Sequence, residues 1–302
     1  MFLRDFNALI EKAKSFPKAR KVIVASASDE HTLEAVFRAQ NDGIVNPVLV
    51  GDKPKILDIL SKLGAAVPEG GLYDFPGVEE AAEKAVELIR DGKGDFLMKG
   101  KLETAQMLKP VVNKETGIGT GKLMSHVTMF QSPYYHKLLI VTDGGMVTYP
   151  TLEQKKAIIE NSVEVLKTLG YDNPKVGVLT AVETVNPKMP ETLDADALYK
   201  MNAEGNIKGC VVAGPISLDL ALDSEAVAIK GYKSPVAGDA DVLIVPDIHT
   251  GNALGKSILV LGGGRMAGIV VGARVPIILT SRGASSEEKY LSLVLSAAMS
   301  ES

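Results

Sequence analysis

The chain has 302 residues, 46% of them hydrophobic and 23% charged, with a formal net charge of −4. This composition describes a globular protein with room for two cores and without the basic field that holds nucleic acid or an anionic membrane. No run approaches the ~20 apolar residues of a membrane span, and a single cysteine, Cys210, excludes an intrachain disulfide and any multi-cysteine metal site.

The N-terminal "MFLRDFNALIEKAKSF" mixes charges at helical spacing and lacks a signal-peptide core, so a cytoplasmic protein is expected. Beyond it, short β-branched runs alternate with amphipathic stretches. "KVIVASA" (21–27) reads as a strand and "DEHTLEAVFRAQNDG" as a helix with Leu33, Val36 and Phe37 on its apolar face. "NPVLVG" is a strand, "GVEEAAEKAVELIRDGKG" a helix stopped by glycines, and "DFLMKG" a strand. Helix "TAQMLKPVVNK" and strand "KLLIVTD" (137–143) follow. "TLEQKKAIIENSVEVLKTLG" is a helix with Thr151 as its N-cap and Gly170 as its stop. "KVGVLTA", "GCVVAG", "DVLIVPD" and "VPIILTS" are further strands, and Cys210 reads as a buried structural thiol in one of them. Apolar strands alternating with helices predict mostly parallel sheets covered on both faces, an α/β class.

In such folds ligands gather beyond the C-terminal ends of the strands. Those ends are rich in Gly, Ser, Thr, Asn, Asp, Lys and Arg, which suits a site for phosphate and carbonyl groups. "IVPDIHTGNALGKSI" (244–258) has the look of a phosphate loop, with strand, glycines, Lys256 and Ser257. The Walker pattern, however, needs four residues between its glycines, and only three separate Gly251 from Gly255. "TGIGTGKL" fails in the same way, and Leu123 has no hydroxyl for a metal. What survives is a turn over 246–257 offering N–H groups, a helix N-terminus and Lys256 to an anion, or an ordinary strand-to-helix connection. "GGGRMAG" (262–268) does not open a βαβ unit, so it is no dinucleotide fingerprint.

The sharpest local chemistry lies in "PIILTSRGASSEEKYLSLVLSAA". Ser281 and Arg282 end a strand, Gly283 permits a sharp turn, and Ser285 with Glu288 forms a capping-box pattern. One turn thus collects a hydroxyl, a guanidinium suited to a tetrahedral oxyanion, and two carboxylates, Glu287 and Glu288, either able to take a proton. The same residues also read as a plain helix cap. His126 and His249 show no paired partner in the sequence and read as structural, and Asp239 with Asp241 reads as turn chemistry instead of a metal site.

Taken together, "SPVAGDADVLIVPDIHTGNALGKS" and "LTSRGASSEEK" resemble the phosphate acetyl/butyryltransferase family. The resemblance continues through "MKGKLETAQMLKPVVNKETGIGTGKLMSH", "TDGGMVTYPTLEQK", "VETVNPKMPETLDADAL" and "IKGCVVAGPISLDLAL", and the last two look more like butyryl than acetyl enzymes. It implies two α/β/α domains like those of isocitrate and isopropylmalate dehydrogenases, with the active site in the interdomain cleft: residues 1–129 plus 272–302, and residues 130–271. It also implies exchange of acyl-CoA and phosphate for acyl phosphate and CoA, without a metal, a permanent cofactor or a covalent enzyme intermediate. CoA and acyl-CoA enter as substrates, and a homodimer or higher homo-oligomer is expected. By the same resemblance Arg282 holds the phosphoryl group and Ser281 hydrogen-bonds at the reaction centre. The family's aspartate base falls on Glu288 by register, with Glu287 as its neighbour. Asp247, Gly251, Asn252 and Lys256 belong to a substrate-binding loop, and Lys101 and Thr104 to the facing loop. Gly144, with Gly145 behind it, would leave room for an acyl chain longer than acetyl. An acetyl-specific enzyme, a decarboxylating dehydrogenase of the same fold and a non-catalytic CoA or acyl phosphate sensor are the competing readings.

Overall fold

The computed structural model describes residues 3–281 and 283–299. After α1 (Phe6–Lys14), strands and helices alternate: β1 (Arg20–Ala25), α2 (Glu30–Asn41), β2 (Val45–Gly51), α3 (Lys53–Leu63), β3 (Leu72–Asp74), α4 (Val78–Arg90), β4 (Phe96–Lys99) and α5 (Thr104–Val111). β5 (Ser125–Gln131), β6 (Leu139–Thr142), α6 (Leu152–Thr168), β7 (Lys175–Leu179), α7 (Pro190–Ala203) and β8 (Val211–Ile216) come next. Two short helices, α8 (Leu218–Leu222) and α9 (Ser224–Lys230), lead to β9 (Val242–Ile244) and α10 (Ile248–Val260). β10 (Arg265–Val271), β11 (Ile277–Ile278) and α11 (Ser286–Met299) complete the described chain.

The elements form two compact units. An N-terminal unit holds Asn7–Met124 and the C-terminal stretch from Ala267, and a central unit holds Ser125–Met266 with the residues up to Phe6. The units therefore change at 124/125 and 266/267, ahead of the 129/130 and 271/272 expected from the sequence. The first change coincides with the start of β5, and the second falls inside β10. The first residues join the central unit through hydrogen bonds: Leu138 N–H donates to the Leu3 carbonyl (3.0 Å), Tyr171 Oη accepts from Leu3 N–H (2.9 Å), and Gln131 Oε1 accepts from Phe6 N–H (3.0 Å).

In the N-terminal unit the strand order is β3-β2-β1-β4-β11-β10, parallel except where β10 meets β11. β1 is buried from Val22 to Ala25 and β4 throughout, as strands covered on both faces must be. In the central unit the order is β5-β6-β9-β7-β8, with β5 antiparallel to β6 and the rest parallel. Its core gathers Phe130, Leu139, Val141, Leu179, Ile216 and Leu243. Cys210 is buried and its thiol is pushed up to about 11 by burial, in keeping with a structural residue. The whole is mixed α/β with mostly parallel strands, and among the described residues no helix is long and apolar enough to cross a membrane.

Asp239 and Asp241 do more than shape a turn. Lys137, only 3% exposed in its side chain, lies 2.8 Å from Asp239 Oδ1 and 2.6 Å from Asp241 Oδ1. Lys175 Nζ reaches Asp239 Oδ2 at 2.5 Å, and Lys175 N–H donates to Asp241 Oδ2 at 2.7 Å. The cluster pins the N-terminal ends of β6, β7 and β9 together. Burial pushes the Asp239 carboxyl up, but hydrogen bonds from Lys137 and Lys175 and the Lys137 charge outweigh it and hold the group well below the usual carboxylate range. A depressed carboxyl stabilises the fold above its unfolded value near pH 4 and loses that contribution as the pH falls further.

Lys137→Met should therefore cost about 3 kcal/mol or more in urea unfolding at pH 7, because two carboxylates lose their buried partner. It should also flatten the fall in stability between pH 5 and pH 2. A variant with wild-type midpoints at both ends of that range would show that the cluster is energetically idle.

Candidate active site

Each unit presents polar residues at the C-terminal ends of its parallel strands. In the N-terminal unit these ends belong to β1, β4 and β11, which are consecutive in the sheet. Ser26 follows β1 with φ of +51°, a left-handed conformation uncommon outside glycine. Its carbonyl accepts the Lys101 N–H (2.8 Å), and its hydroxyl donates to the Lys101 carbonyl (3.1 Å). A Cβ at Gly100 would collide with the Ser26 carbonyl oxygen, so only glycine lets the two loops touch. Lys101 is held by its backbone and its side chain is exposed. Thr104 is the first residue of α5, whose capping box joins Glu103 and Gln106. Neighbouring Lys99 is buried, with Nζ donating to the Leu102 carbonyl at 3.1 Å.

Beyond β11, Ser281 makes a tight turn. Its hydroxyl oxygen accepts the Gly283 N–H (3.1 Å) and its carbonyl the Ala284 N–H (3.1 Å). Arg282 lies outside the described residues. Ser285 and Glu288 form the capping box read from the sequence: Glu288 N–H donates to Ser285 Oγ (3.2 Å) and Ser285 N–H to Glu288 Oε2 (3.3 Å). The two acidic residues then part company. Glu287 is ion-paired with Arg38 of α2, whose guanidinium lies 3.7 Å from the centre of the Tyr290 ring. Glu288 is half-buried, and burial raises its carboxyl above the ordinary value, against the lowering effects of the Ser285 N–H and the Lys289 charge.

In the central unit the glycines of "IHTGNALGKS" are not in a loop. α10 begins at Ile248, and the carboxylate of Asp247 is its N-cap, accepting the Thr250 N–H at 2.8 Å. That hydrogen bond holds the Asp247 carboxyl below its usual range. The sequence expectation of a turn over 246–257 is thus corrected: most of its N–H groups are spent inside a helix. Gly251 and Gly255 are four residues apart and buried on one helix face. A Cβ at Gly251 would come within 2.8 Å of Gly144 Cα and 2.9 Å of Val245 Cγ2, and one at Gly255 within 2.9 Å of Phe130 Cζ. The glycines let α10 lie directly on the strand ends. Asn252 and Lys256, also four apart, are exposed.

Gly144 faces the same contact from the other side. A Cβ there would be 3.0 Å from the Gly251 carbonyl carbon and 3.3 Å from Asn252 N. The space expected at Gly144 for a longer acyl group is therefore filled by the α10 backbone. Gly145 packs on His126, whose Nδ1 would be 2.8 Å from an added Cβ.

The histidines have partners that the sequence did not reveal. His126 Nδ1 lies 3.0 Å from Thr128 Oγ1, and burial lowers its pKa against the opposing pull of Asp143. Asp143 is itself buried and accepts the N–H groups of His126 (2.9 Å), Gly145 (2.8 Å) and Met146 (2.8 Å), which fixes the turn after β6. His249 Nε2 lies 2.9 Å from Tyr149 Oη. Position at a strand end was the available signal for Ser26 and Asp143; nothing local marked Thr128 or Tyr149.

A family model described as phosphate acetyl/butaryl transferase matches residues 77–297. The chain is 46% identical over 295 residues to a phosphate butyryltransferase of Clostridium acetobutylicum, covering 98% of each chain. It is 43% identical over 297 residues to a phosphate acetyltransferase of Thermotoga maritima, covering 98% of this chain and 99% of that one. Among solved structures, a branched-chain phosphotransacylase from Enterococcus faecalis V583 matches with a TM-score of 0.82 at 33% identity, over 93% of this chain and 98% of the other.

The contact at Gly144 makes a stability prediction. Gly144→Val should force α10 away from the β6 end and cost about 1–3 kcal/mol of stability, with no gain of selectivity among acyl chains. Unfolding midpoints of wild type and variant check the first part. An unchanged midpoint together with a switch toward acetyl-CoA would restore the pocket interpretation.

Proposed function

The chain belongs to the phosphate acetyl/butaryl transferase family, and we propose that it interconverts acyl-CoA and phosphate with acyl phosphate and free CoA, favouring butyryl and branched five-carbon acyl groups. The observation that carries the reading is the turn entering α11. There Ser281 lies in the turn that follows β11, and Glu288, with a carboxyl raised by burial, is fixed by its cap to Ser285. A thiol's reference pKa is about 8.5, and a base raised toward neutrality is better matched to it than an ordinary carboxylate. In the direction of thioester synthesis Glu288 takes the thiol proton of CoA. The thiolate sulfur attacks the acyl carbonyl carbon, and the tetrahedral adduct collapses with the C–O electron pair leaving on phosphate. Ser281 hydrogen-bonds to the reacting group, and Arg282, assigned on the resemblance alone, neutralises the phosphoryl oxygens. Glu287 is left with a structural task because Arg38 already holds it.

Lys101 and Thr104 in one unit, and Asn252 and Lys256 in the other, are assigned to the phosphate groups of the substrates. This extends the proposal to a dehydrogenase-like fold with a reaction centre served by both units. A cytoplasmic homodimer or higher homo-oligomer that takes CoA as substrate and holds no permanent cofactor belongs to the same reading. A second reading, an enzyme for acetyl groups, draws on the 43% identity to the Thermotoga maritima protein and on the filled space at Gly144.

Four measurements test the proposal. Purified protein should release free thiol from butyryl-CoA only when phosphate is added; release without phosphate, or none at all, overturns it. Across acetyl-, butyryl- and isovaleryl-CoA, kcat/KM should be highest for the longer pair, and an acetyl optimum would select the second reading. Glu288→Gln keeps a side chain suited to the cap yet should lose ~10²-fold or more in kcat, while Glu287→Gln stays near wild type. Arg282→Ala should fall by ~10²-fold in kcat/KM, and Arg282→Lys should recover little because the planar fork is lost.

A further inference from the structure

Lys289 is in an expensive place. It follows Glu288 in the first turn of α11, where the helix dipole disfavours a cation, and its residue is 5% exposed. A buried ammonium needs a partner, and Asp29 supplies one: Nζ lies 2.7 Å from Asp29 Oδ2 and 3.0 Å from Thr32 Oγ1. The same Asp29 oxygen is the N-cap of α2, accepting the Thr32 N–H at 2.9 Å and the Thr32 hydroxyl. One carboxylate therefore ties the starts of two helices together. α2 follows β1 and α11 follows β11, and β4 runs between those strands. The tie thus joins the loops on either side of the one that carries Lys101 and Thr104.

We infer that Lys289 and Asp29 form a positioning pair that holds the Glu288 turn against the β1 and β4 loops and sets the charge balance around the Glu288 carboxylate. The inference rests on the reading of Glu288 as the base. The Lys289 charge acts on the Glu288 carboxyl and partly offsets the effect of its burial. Burial pushes the Asp29 carboxyl up, but hydrogen bonds from Lys289 and Thr32 and the Lys289 charge outweigh it and hold the group below its usual range. Other charged groups near α11 are already engaged. On α2 and its caps these are Arg38, held by Glu287, and Asp42, which accepts from Tyr290 Oη at 2.6 Å and pairs with Lys14 at 3.2 Å. β11 brings only isoleucines, and β10 meets α11 through the Gly268 N–H, which donates to Ser292 Oγ. Arg282 lies outside the described residues.

The test is the pH profile of kcat/KM for CoA with butyryl phosphate, read by thioester absorbance in wild type, Lys289→Met, Lys289→Arg, Asp29→Asn and Glu288→Gln, with unfolding midpoints alongside. Asn still caps α2 and Met keeps the apolar stem, so both variants are expected to fold. Lys289→Met should lower kcat roughly 10²-fold with little change in KM, as expected for a displaced reacting group, and Lys289→Arg should recover most of it. The acidic limb should move to higher pH in Lys289→Met, where a cation is gone. It should move to lower pH in Asp29→Asn, where the cation is no longer neutralised. Limbs that stay in place in both variants while the midpoints fall would overturn the inference and leave a structural tie. If Glu288→Gln keeps the wild-type rate and limb, the assignment of the base fails first and this inference fails with it.

Discussion

Contact between backbones at the ends of the strands is the constraint on which the arrangement of each unit depends. In the central unit Gly251 lies against Gly144, and in the N-terminal unit Gly100 lies against the Ser26 carbonyl. At each place a single methyl group would separate segments that carry substrate-binding candidates. The closeness seats the start of α10, the helix that carries the exposed Asn252 and Lys256, against the turn after β6. It also lets the β1 and β4 loops exchange hydrogen bonds through Ser26 and Lys101. The cost is paid in conformational freedom, since glycine inside a helix disfavours it by about 1 kcal/mol relative to alanine.

The opposite ends of the strands are organised by charge instead of by close approach. Lys137 is buried among Asp239 and Asp241 and gathers three strands of the central unit where no ligand chemistry is expected. The division follows from parallel strands. With all C-terminal ends on one side, binding residues collect there, and the other side is free to be built for rigidity. The Lys289–Asp29 pair uses the same device, a buried lysine answered by a carboxylate, but at the ends where binding residues collect.

Much of this was legible in the sequence, and the failures are informative. β1, β4, β6, β7 and β9 announced themselves as short apolar runs because parallel strands are buried on both faces. β5 did not, since "SHVTMFQ" places His126 and Thr128 among its apolar residues, and both polar groups are satisfied only by contacts made after folding. β10 was masked by the glycines before it. The glycines of α10 read as a phosphate loop because local propensity opposes a helix there; packing against Phe130 and Gly144 overrides it. The Ser285–Glu288 cap was readable because its partners are three residues apart. The pairing of Glu287 was not, because its partner Arg38 is 249 residues away in the chain. Lys289 and Asp29, 260 residues apart, escaped for the same reason.

The chemistry proposed for this protein surrounds it with electrophiles, since thioesters and acyl phosphates both transfer acyl groups to thiols. Its own single thiol is out of their reach twice over. Cys210 is buried in the central unit beside Asn202, and burial pushes its thiol up to about 11. A thiol raised in this way is held in its unreactive protonated form. Burial and a raised thiol both make Cys210 a poor acceptor of the acyl group, so the protein's own sulfur competes weakly with the thiol of CoA.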